Sequence, residues 1–225
     1  MTALTTRRFA SPAQLEEALA ARLREAIAAS GASAIMLAGG KTPLPAYRTL
    51  AAAPLPHDDR LHLLFSDDRY VPADSPNSNY YQSRALIDAL GLPSESVLRV
   101  RTELPLATAA ADYERQLSAL LSSGVHIGLG LLGLGANGHT ASLFNADDLE
   151  RARGHYAIAV DRPDGMSAVS VTPDLLATVR EPLFVVGGGG KDDAIRALMA
   201  RDPNLPAWSA VQGCAAVELW LSEDS

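Results

Sequence analysis

The chain has 225 residues, 48% of them hydrophobic and 20% charged, which is long enough to bury a sizeable core as one α/β domain spanning residues 1–225. Its formal net charge of -7 argues against a broad basic field for nucleic acid or an anionic membrane, so an anionic ligand would need a locally positive site. The single cysteine, Cys214, excludes an intramolecular disulfide framework and a four-cysteine metal site, and fits a reducing, cytoplasmic setting.

The opening "MTALTTRRFASPAQ" lacks the long apolar core of a secretory signal, and no run of about 18 apolar residues marks a membrane span. The first predicted element is a helix in "SPAQLEEALAARLREAIAASG". Ser11 is its N-cap, Pro12 its first helical residue and Gln14 its capping-box partner. Leu15, Leu19, Leu23 and Ile27 recur every four residues as an apolar stripe, with Ala18 and Ala26 beside it, and Gly31 closes the element. Short apolar runs follow: "AIMLAGG", "LHLLFSDD", "HIGLGLLGLG", "YAIAV", "AVSVT", "LFVVGGGG" and "AAVELWL". Between most of them lie helix-like segments such as "PLPAYRTLAAA", "NYYQSRALIDALG", "ATAAADYERQLSALL" and "DDAIRALMA". Runs apolar on both faces that alternate with helices predict a Rossmann-like α/β domain, its mostly parallel sheet covered on both sides. Glycines and prolines punctuate these segments without a fixed period or a low-complexity tract. In such folds ligands bind beyond the carboxyl ends of the strands, so the strand endings are the place to look.

Four endings are chemically unusual. In "LAGGKTPLPAY", Gly39 and Gly40 let the backbone approach a ligand, Thr42 can cap the next helix and Pro43 suits its first turn. Free N–H groups there, with Lys41, would favour a phosphate; a plain tight turn is the alternative. In "FSDDRYVPADSPNSNYY", Asp67, Asp68 and Arg69 can position an anion and polar hydroxyls, or can form an ion pair on a solvated loop, and Ser78 or Asn79 caps the following helix. "GLGLLGLGANGHTASLF" packs five glycines before His139, which is placed for proton transfer at the start of an expected helix. The same string contains G-x-G-x-x-G, a dinucleotide pattern, although His139 directly after it, a late Asp161 and the mid-chain position fit that reading poorly. In "LFVVGGGGKDDAIRAL", glycines and Lys191 at a helix start again point backbone donors and an ammonium at an anion, or form a flexible turn with an exposed lysine.

The other features are structural in character. Cys214 has no activating neighbour in sequence, Trp208 and Trp220 sit in apolar surroundings, and His57, His62, His126 and His155 lack metal-ligand spacing.

Taken in order, the four endings resemble the 6-phosphogluconolactonase family. "AGGKTP" is similar to that family's S-G-G-x-T-P loop, "SDDRYVPADSPNSNY" to D-E-R-x-V-P with a later S-N-Y, and "GLGANGHTASLF" to G-x-G-x-D-G-H-T-A-S-L-F. "VGGGGKDDAI" is similar to the G-x-x-K-x-x-A segment. The resemblance implies hydrolysis of 6-phospho-D-glucono-1,5-lactone to 6-phosphogluconate in the oxidative pentose phosphate pathway, without metal or cofactor. Its partner would be a small sugar-phosphate lactone, not nucleic acid or membrane. By motif match His139 would be the general base, with Arg69, Lys191, Gly39, Gly40 and Thr42 on the phosphate. Asp67 would orient a hydroxyl or the histidine. Backbone N–H groups around Gly135 and Gly138 are expected to stabilise the oxyanion.

Three positions depart from the family. Asn137 stands where the family has an Asp two residues before the histidine, so the imidazole must be oriented without that charge. Asp68 replaces a Glu, and "GMSAVSVTP" lacks an arginine, for which Arg162 is the nearest substitute. The related glucosamine-6-phosphate deaminases would show D-E-Y and G-H-I-A-F-N-E-P where this chain reads "DDRYVP" and "GHTASLFN". A noncatalytic sugar-phosphate sensor would normally need a DNA-binding module, for which there is neither a spare segment nor a basic helix.

Overall fold

The computed structural model describes residues 2–223. Strand β1 (Ala3–Phe9) opens the chain, and most of its side chains are exposed, so it carries no apolar signal in the sequence. Helix α1 (Pro12–Ala28) follows, with Ser11 Oγ accepting from Gln14 N at 3.3 Å. Its buried Leu15, Leu19, Leu23 and Ile27 face the sheet, each contributing roughly 2–3 kcal/mol of burial free energy. The helix ends at Ala28, earlier than expected; Gly31, with φ 101, turns the chain into the next strand instead of capping.

The remaining elements are β2 (Ser33–Leu37), α2 (Leu44–Ala51), β3 (Leu61–Phe65), β4 (Asp67–Arg69), α3 (Asn79–Gln82), α4 (Arg84–Leu90), α5 (Leu106–Ser122) and β5 (His126–Leu132). After these come α6 (Ala146–Arg151), β6 (Ala157–Asp161), β7 (Ser167–Val171), α7 (Pro173–Leu176), β8 (Glu181–Val186), α8 (Asp192–Met199), α9 (Pro206–Val211) and β9 (Ala216–Ser222). The segment "NYYQSRALIDALG" is two helices, broken at Ser83, whose hydroxyl donates back to Asn79 O.

Six strands form one parallel sheet in the order β1-β9-β8-β5-β2-β3. Alternation splits its side chains between two core layers. Ile35 and Leu37 pack with α1, α2 and α4, while Ala34 and Met36 pack with α5, α7 and α9 on the other face. The strands called from "YAIAV" and "AVSVT" do not join this sheet. They pair antiparallel as β6 and β7, with β4 alongside β7, in a three-stranded sheet tied to the main one through Ser66, which donates to Leu37 O and accepts from Val171 N.

The strand order fixes where a ligand can enter. From β2 the chain adds β3 on one side, then crosses back to place β5 on the other, so the connections diverge between the carboxyl ends of β2 and β5. A crevice opens at such a switch point.

Candidate active site

A cavity with about 740 Å³ of empty space, its open mouth included, occupies that switch point. It is lined from the ends of β2, β3, β5 and β8 by Gly39, Gly40, Lys41 and Thr42, by Asp67 and Arg69, by Gly135 and His139, and by Lys191. All four expected strand endings therefore meet in one place. Four cations, Lys41, Arg69, Arg162 and Lys191, face it against the single lining carboxylate of Asp67, so the site is locally positive in an acidic protein.

The loop after β2 is built to present its backbone. Gly40 has φ 96, a left-handed conformation that favours glycine, and the amides of Gly39, Gly40, Lys41 and Thr42 find no acceptor among the described residues. Gly39 meets a further need: a Cβ there would collide with the side-chain amide of Asn79. Thr42 does not cap α2, whose N-cap is Pro43 without a side-chain bond, and its hydroxyl stays at the cavity wall. Lys41 is exposed at the rim. Lys191 occupies the N-cap position of α8 without a side-chain capping bond, and its Nζ donates to Gly187 O at 3.3 Å; Gly187 in turn lies against Thr42, which brings the fourth ending onto the first. Burial lowers the Lys191 pKa below the usual lysine value.

Strand alternation separates the three charges of "DDR". Asp67 and Arg69 share the face toward the cavity, and Asp68 points away. No Asp–Arg69 ion pair forms. Arg69 Nη1 donates to Asn77 O at 2.9 Å, and its Nε, buried, has no acceptor. The guanidinium lines the cavity with no carboxylate paired to it, an arrangement that suits an anionic ligand. Asp68 accepts from Arg69 N, Ser78 Oγ, Asn79 N and Tyr80 N, at 2.6 to 3.1 Å, and fixes the start of α3, where Ser78 also accepts from Tyr81 N. Burial nonetheless pushes the Asp68 carboxyl up to about 6. Asp67 is held by Ser142 Oγ at 2.7 Å, Asn79 Nδ2 at 3.1 Å and Ser66 Oγ at 3.1 Å.

The glycine string is sorted by the structure into two uses. Gly128 and Gly130 lie within β5, where a Cβ on Gly130 would press on Val179 and Met36. Gly135 leaves room for a side chain: a Cβ there would overlap the imidazole of His139. Asn137 Oδ1 accepts from His139 Nδ1 at 2.5 Å and from the His139 backbone N–H at 3.4 Å. The backbone donor requires an oxygen at that point, so Nδ1 carries the proton and Nε2 is left with a lone pair. Asn137 thus supplies orientation and tautomer without a charge. Desolvation first, and then the cations Arg162, Lys191 and Arg69, lower the His139 pKa below the usual histidine value, against the opposing pull of Asp67.

Two expectations for this loop fail. No helix begins at His139; a turn and a short bridge between Thr140 and Leu143 lead to α6 at Ala146. The G-x-G-x-x-G string therefore lacks the helix N-terminus that would hold a pyrophosphate, and Gly138, with φ 80, packs against Leu205. The backbone amides of Gly135 and Gly138 are also not available to an oxyanion. They donate to His139 O and to Gly135 O, each at 2.9 Å, because closing the tight turn uses them. Just beyond, Ala141 takes φ 47, a conformation costing roughly 1–2 kcal/mol for a residue with a Cβ. Ser142 holds it there, its N–H on Ser170 Oγ and its hydroxyl on Asp67.

Sequence reasoning missed Ser142 and the tie between Asn79 and Asp67, because both depend on contacts across the chain. It identified Arg162 only as a substitute for an absent arginine. The structure puts Arg162 in the cavity wall with its side chain 11% exposed. Trp208, Trp220 and Cys214 are buried, and burial raises the Cys214 thiol to about 11.

Fold and site together define an open parallel α/β protein with a cation-lined, histidine-bearing cleft at its topological switch point. Residues 8–220 match the family model described as glucosamine-6-phosphate isomerases/6-phosphogluconolactonase, and the chain belongs to that family. It is 35% identical over 178 residues to the 6-phosphogluconolactonase of Thermotoga maritima, an alignment covering 77% of each chain. The crystal structure of a 6-phosphogluconolactonase from the same organism superposes with a TM-score of 0.81 at 28% identity, covering 99% of this chain and 100% of that one. A monomeric glucosamine-6-phosphate deaminase also superposes, with a TM-score of 0.81 at 17% identity over 98% of both chains. At that identity the likeness shows the fold alone, so the scaffold does not separate the two activities of the family.

Proposed function

We propose that the protein hydrolyses 6-phospho-D-glucono-1,5-lactone to 6-phospho-D-gluconate in the oxidative pentose phosphate pathway. The observation that carries this reading is a cavity with two chemically different parts. One part offers four unpartnered amides from Gly39 to Thr42, the guanidinium of Arg69, and Lys191. The other offers His139 with its Nδ1 proton held by Asn137 and its Nε2 free.

In this reading the first part grips the phosphate, and that binding energy fixes the distant lactone carbonyl near His139. Neutral Nε2 takes a proton from water as the water oxygen bonds to the carbonyl carbon. The carbonyl electrons move onto oxygen; when they return, the ring C–O bond breaks and the ring oxygen takes the proton back from His139. General-base help of this kind is worth about 10²–10⁴ in rate. Asp67 acts on the imidazole through its charge and is kept in place by Ser142 and Asn79.

The test compares substrates. The reading requires fast hydrolysis of 6-phosphogluconolactone, much slower hydrolysis of glucono-1,5-lactone without the phosphate, and no ammonia release from glucosamine 6-phosphate. Equal rates on the two lactones would remove the phosphate anchor from the account, and ammonia release would move the protein to the deaminase side of its family.

A further inference from the structure

An ester carbonyl under attack by water develops negative charge on oxygen, and fixed donors at that oxygen are commonly the largest single contribution to catalysis. Of the loop amides expected to do this, those of Gly135 and Gly138 already donate within their own turn. Arg69 and Lys191 are tied to the other part of the cavity, Arg69 through Asn77 O and Lys191 through Gly187, which lies against Thr42. Two cations remain: Lys41, which is exposed at the rim, and Arg162, whose largely buried side chain lies in the wall with no role in the proposed reaction.

We propose that Arg162 is the catalytic electrophile, its guanidinium donating to the lactone carbonyl oxygen as that oxygen becomes an oxyanion. This inference rests on the lactonase reading and names the residue that completes it. Arg162 begins the tight hairpin between β6 and β7, closed by Arg162 N to Met166 O at 2.8 Å and Gly165 N to Arg162 O at 3.1 Å. Asp164 braces the guanidinium, accepting from Nη2 at 2.8 Å and from Nε at 3.1 Å, while Nη1 donates to Ser142 Oγ at 3.1 Å. These bonds leave one N–H on each terminal nitrogen unused, and the side chain lines the cavity.

The surroundings of that guanidinium are those of the reacting end. Ser142, which it touches, bonds Asp67. Phe144 is a shared neighbour, with its ring centroid 4.5 Å from the His139 ring and 5.3 Å from Arg162 Cζ. Among the cations that depress His139, Arg162 acts most strongly. Bracing by Asp164 and Ser142 sets the fork before substrate arrives, so no reorganisation is needed when charge develops. The atoms balance without any further reactant. The C=O electron pair moves onto the oxygen beside Arg162, then re-forms the double bond as the ring C–O bond breaks, and His139 returns its proton to the departing oxygen.

The experiment is steady-state hydrolysis of 6-phosphogluconolactone across pH by wild type, Arg162→Gln, Arg162→Lys and Asp164→Asn. Inhibition by glucose 6-phosphate, which has the phosphate but no lactone, serves as a separate probe of the anion end. The inference expects kcat to fall about 10²- to 10³-fold in Arg162→Gln, with KM and glucose 6-phosphate inhibition changed less than threefold. Arg162→Lys should recover part of the rate. The acid limb of kcat/KM should move to higher pH in Arg162→Gln, because a cation that holds His139 low has been removed. Asp164→Asn keeps the guanidinium and loosens its brace, so it should lose kcat by a smaller factor even where Arg162→Gln folds poorly. A rise in KM with kcat unchanged would assign Arg162 to the phosphate, and unchanged kcat, KM and pH profile would make it structural; either overturns the inference while the lactonase reading stands. Wild-type protein that does not hydrolyse the lactone overturns both.

Discussion

Replacing Gly135 with alanine isolates the positioning of His139 from the stability of the fold. Gly135 does not occupy the left-handed region, so its backbone accepts alanine. The added methyl, however, would overlap Nδ1 and Cε1 of the imidazole and lie 2.8 Å from Asn137 Oδ1. The turn cannot open easily, because Gly135 N to His139 O and Gly138 N to Gly135 O close it at 2.9 Å each. The imidazole must then swing away, breaking the Nδ1 bond to Asn137 that leaves Nε2 as the base. Losing a positioned base costs about 10²–10⁴ in kcat, or roughly 3–5 kcal/mol of barrier. Because the ring can move into the open cavity, the melting temperature should stay within a few degrees of wild type. The assay is kcat on 6-phosphogluconolactone together with a thermal melt. A Gly135→Ala enzyme with kcat within twofold of wild type would refute the reasoning, since the base would then not depend on the room that this glycine leaves.

Gly138→Ala should do the opposite, because at φ 80 its methyl meets both backbone strain and Leu205. It should cost about 2–4 kcal/mol of stability in a thermal or urea melt, and wild-type stability would contradict the packing account. Arg69→Ala removes a cavity-lining guanidinium at the anion end and should raise KM about tenfold to a hundredfold, the worth of a hydrogen bond to a charged group; an unchanged KM counts against a phosphate there. The acid limb of kcat/KM should lie below the ordinary histidine value of 6.5, since burial and neighbouring cations lower His139. Asp67→Asn should move that limb lower still, because Asp67 is the charge that raises it; a limb above 6.5 in wild type would contradict the environment described.

Much of the fold was legible because it rests on local signals. Apolar runs such as "AIML" and "LFVV" mark strands buried on both faces, and the stripe from Leu15 to Ile27 marks a helix. Strand β1 was not legible, since an exposed edge strand needs no apolar pattern and is held by its parallel ladder with β9. The three-stranded sheet of β4, β7 and β6 was misassigned for a related reason: β7 is as apolar as a central strand, and only its partners reveal that it runs antiparallel. At the site, residue types and strand endings pointed to the right loops. What those loops do with their hydrogen bonds was hidden: Thr42 looked like a cap and is not one, and the amides of Gly135 and Gly138 looked free and are not. Turn geometry decides such matters, and a glycine-rich string fits several turns equally well.

The most direct measurement generates 6-phosphogluconolactone in the cuvette at mildly acidic pH, where spontaneous opening is slow, and follows its loss with wild type and with His139→Ala. The account predicts rapid loss with wild type, since a histidine held below its usual pKa keeps more of its neutral form there than a free one would, and at least about a hundredfold slower turnover in a folded His139→Ala. Wild-type protein that leaves the spontaneous rate unchanged, or His139→Ala that matches wild type, would contradict it.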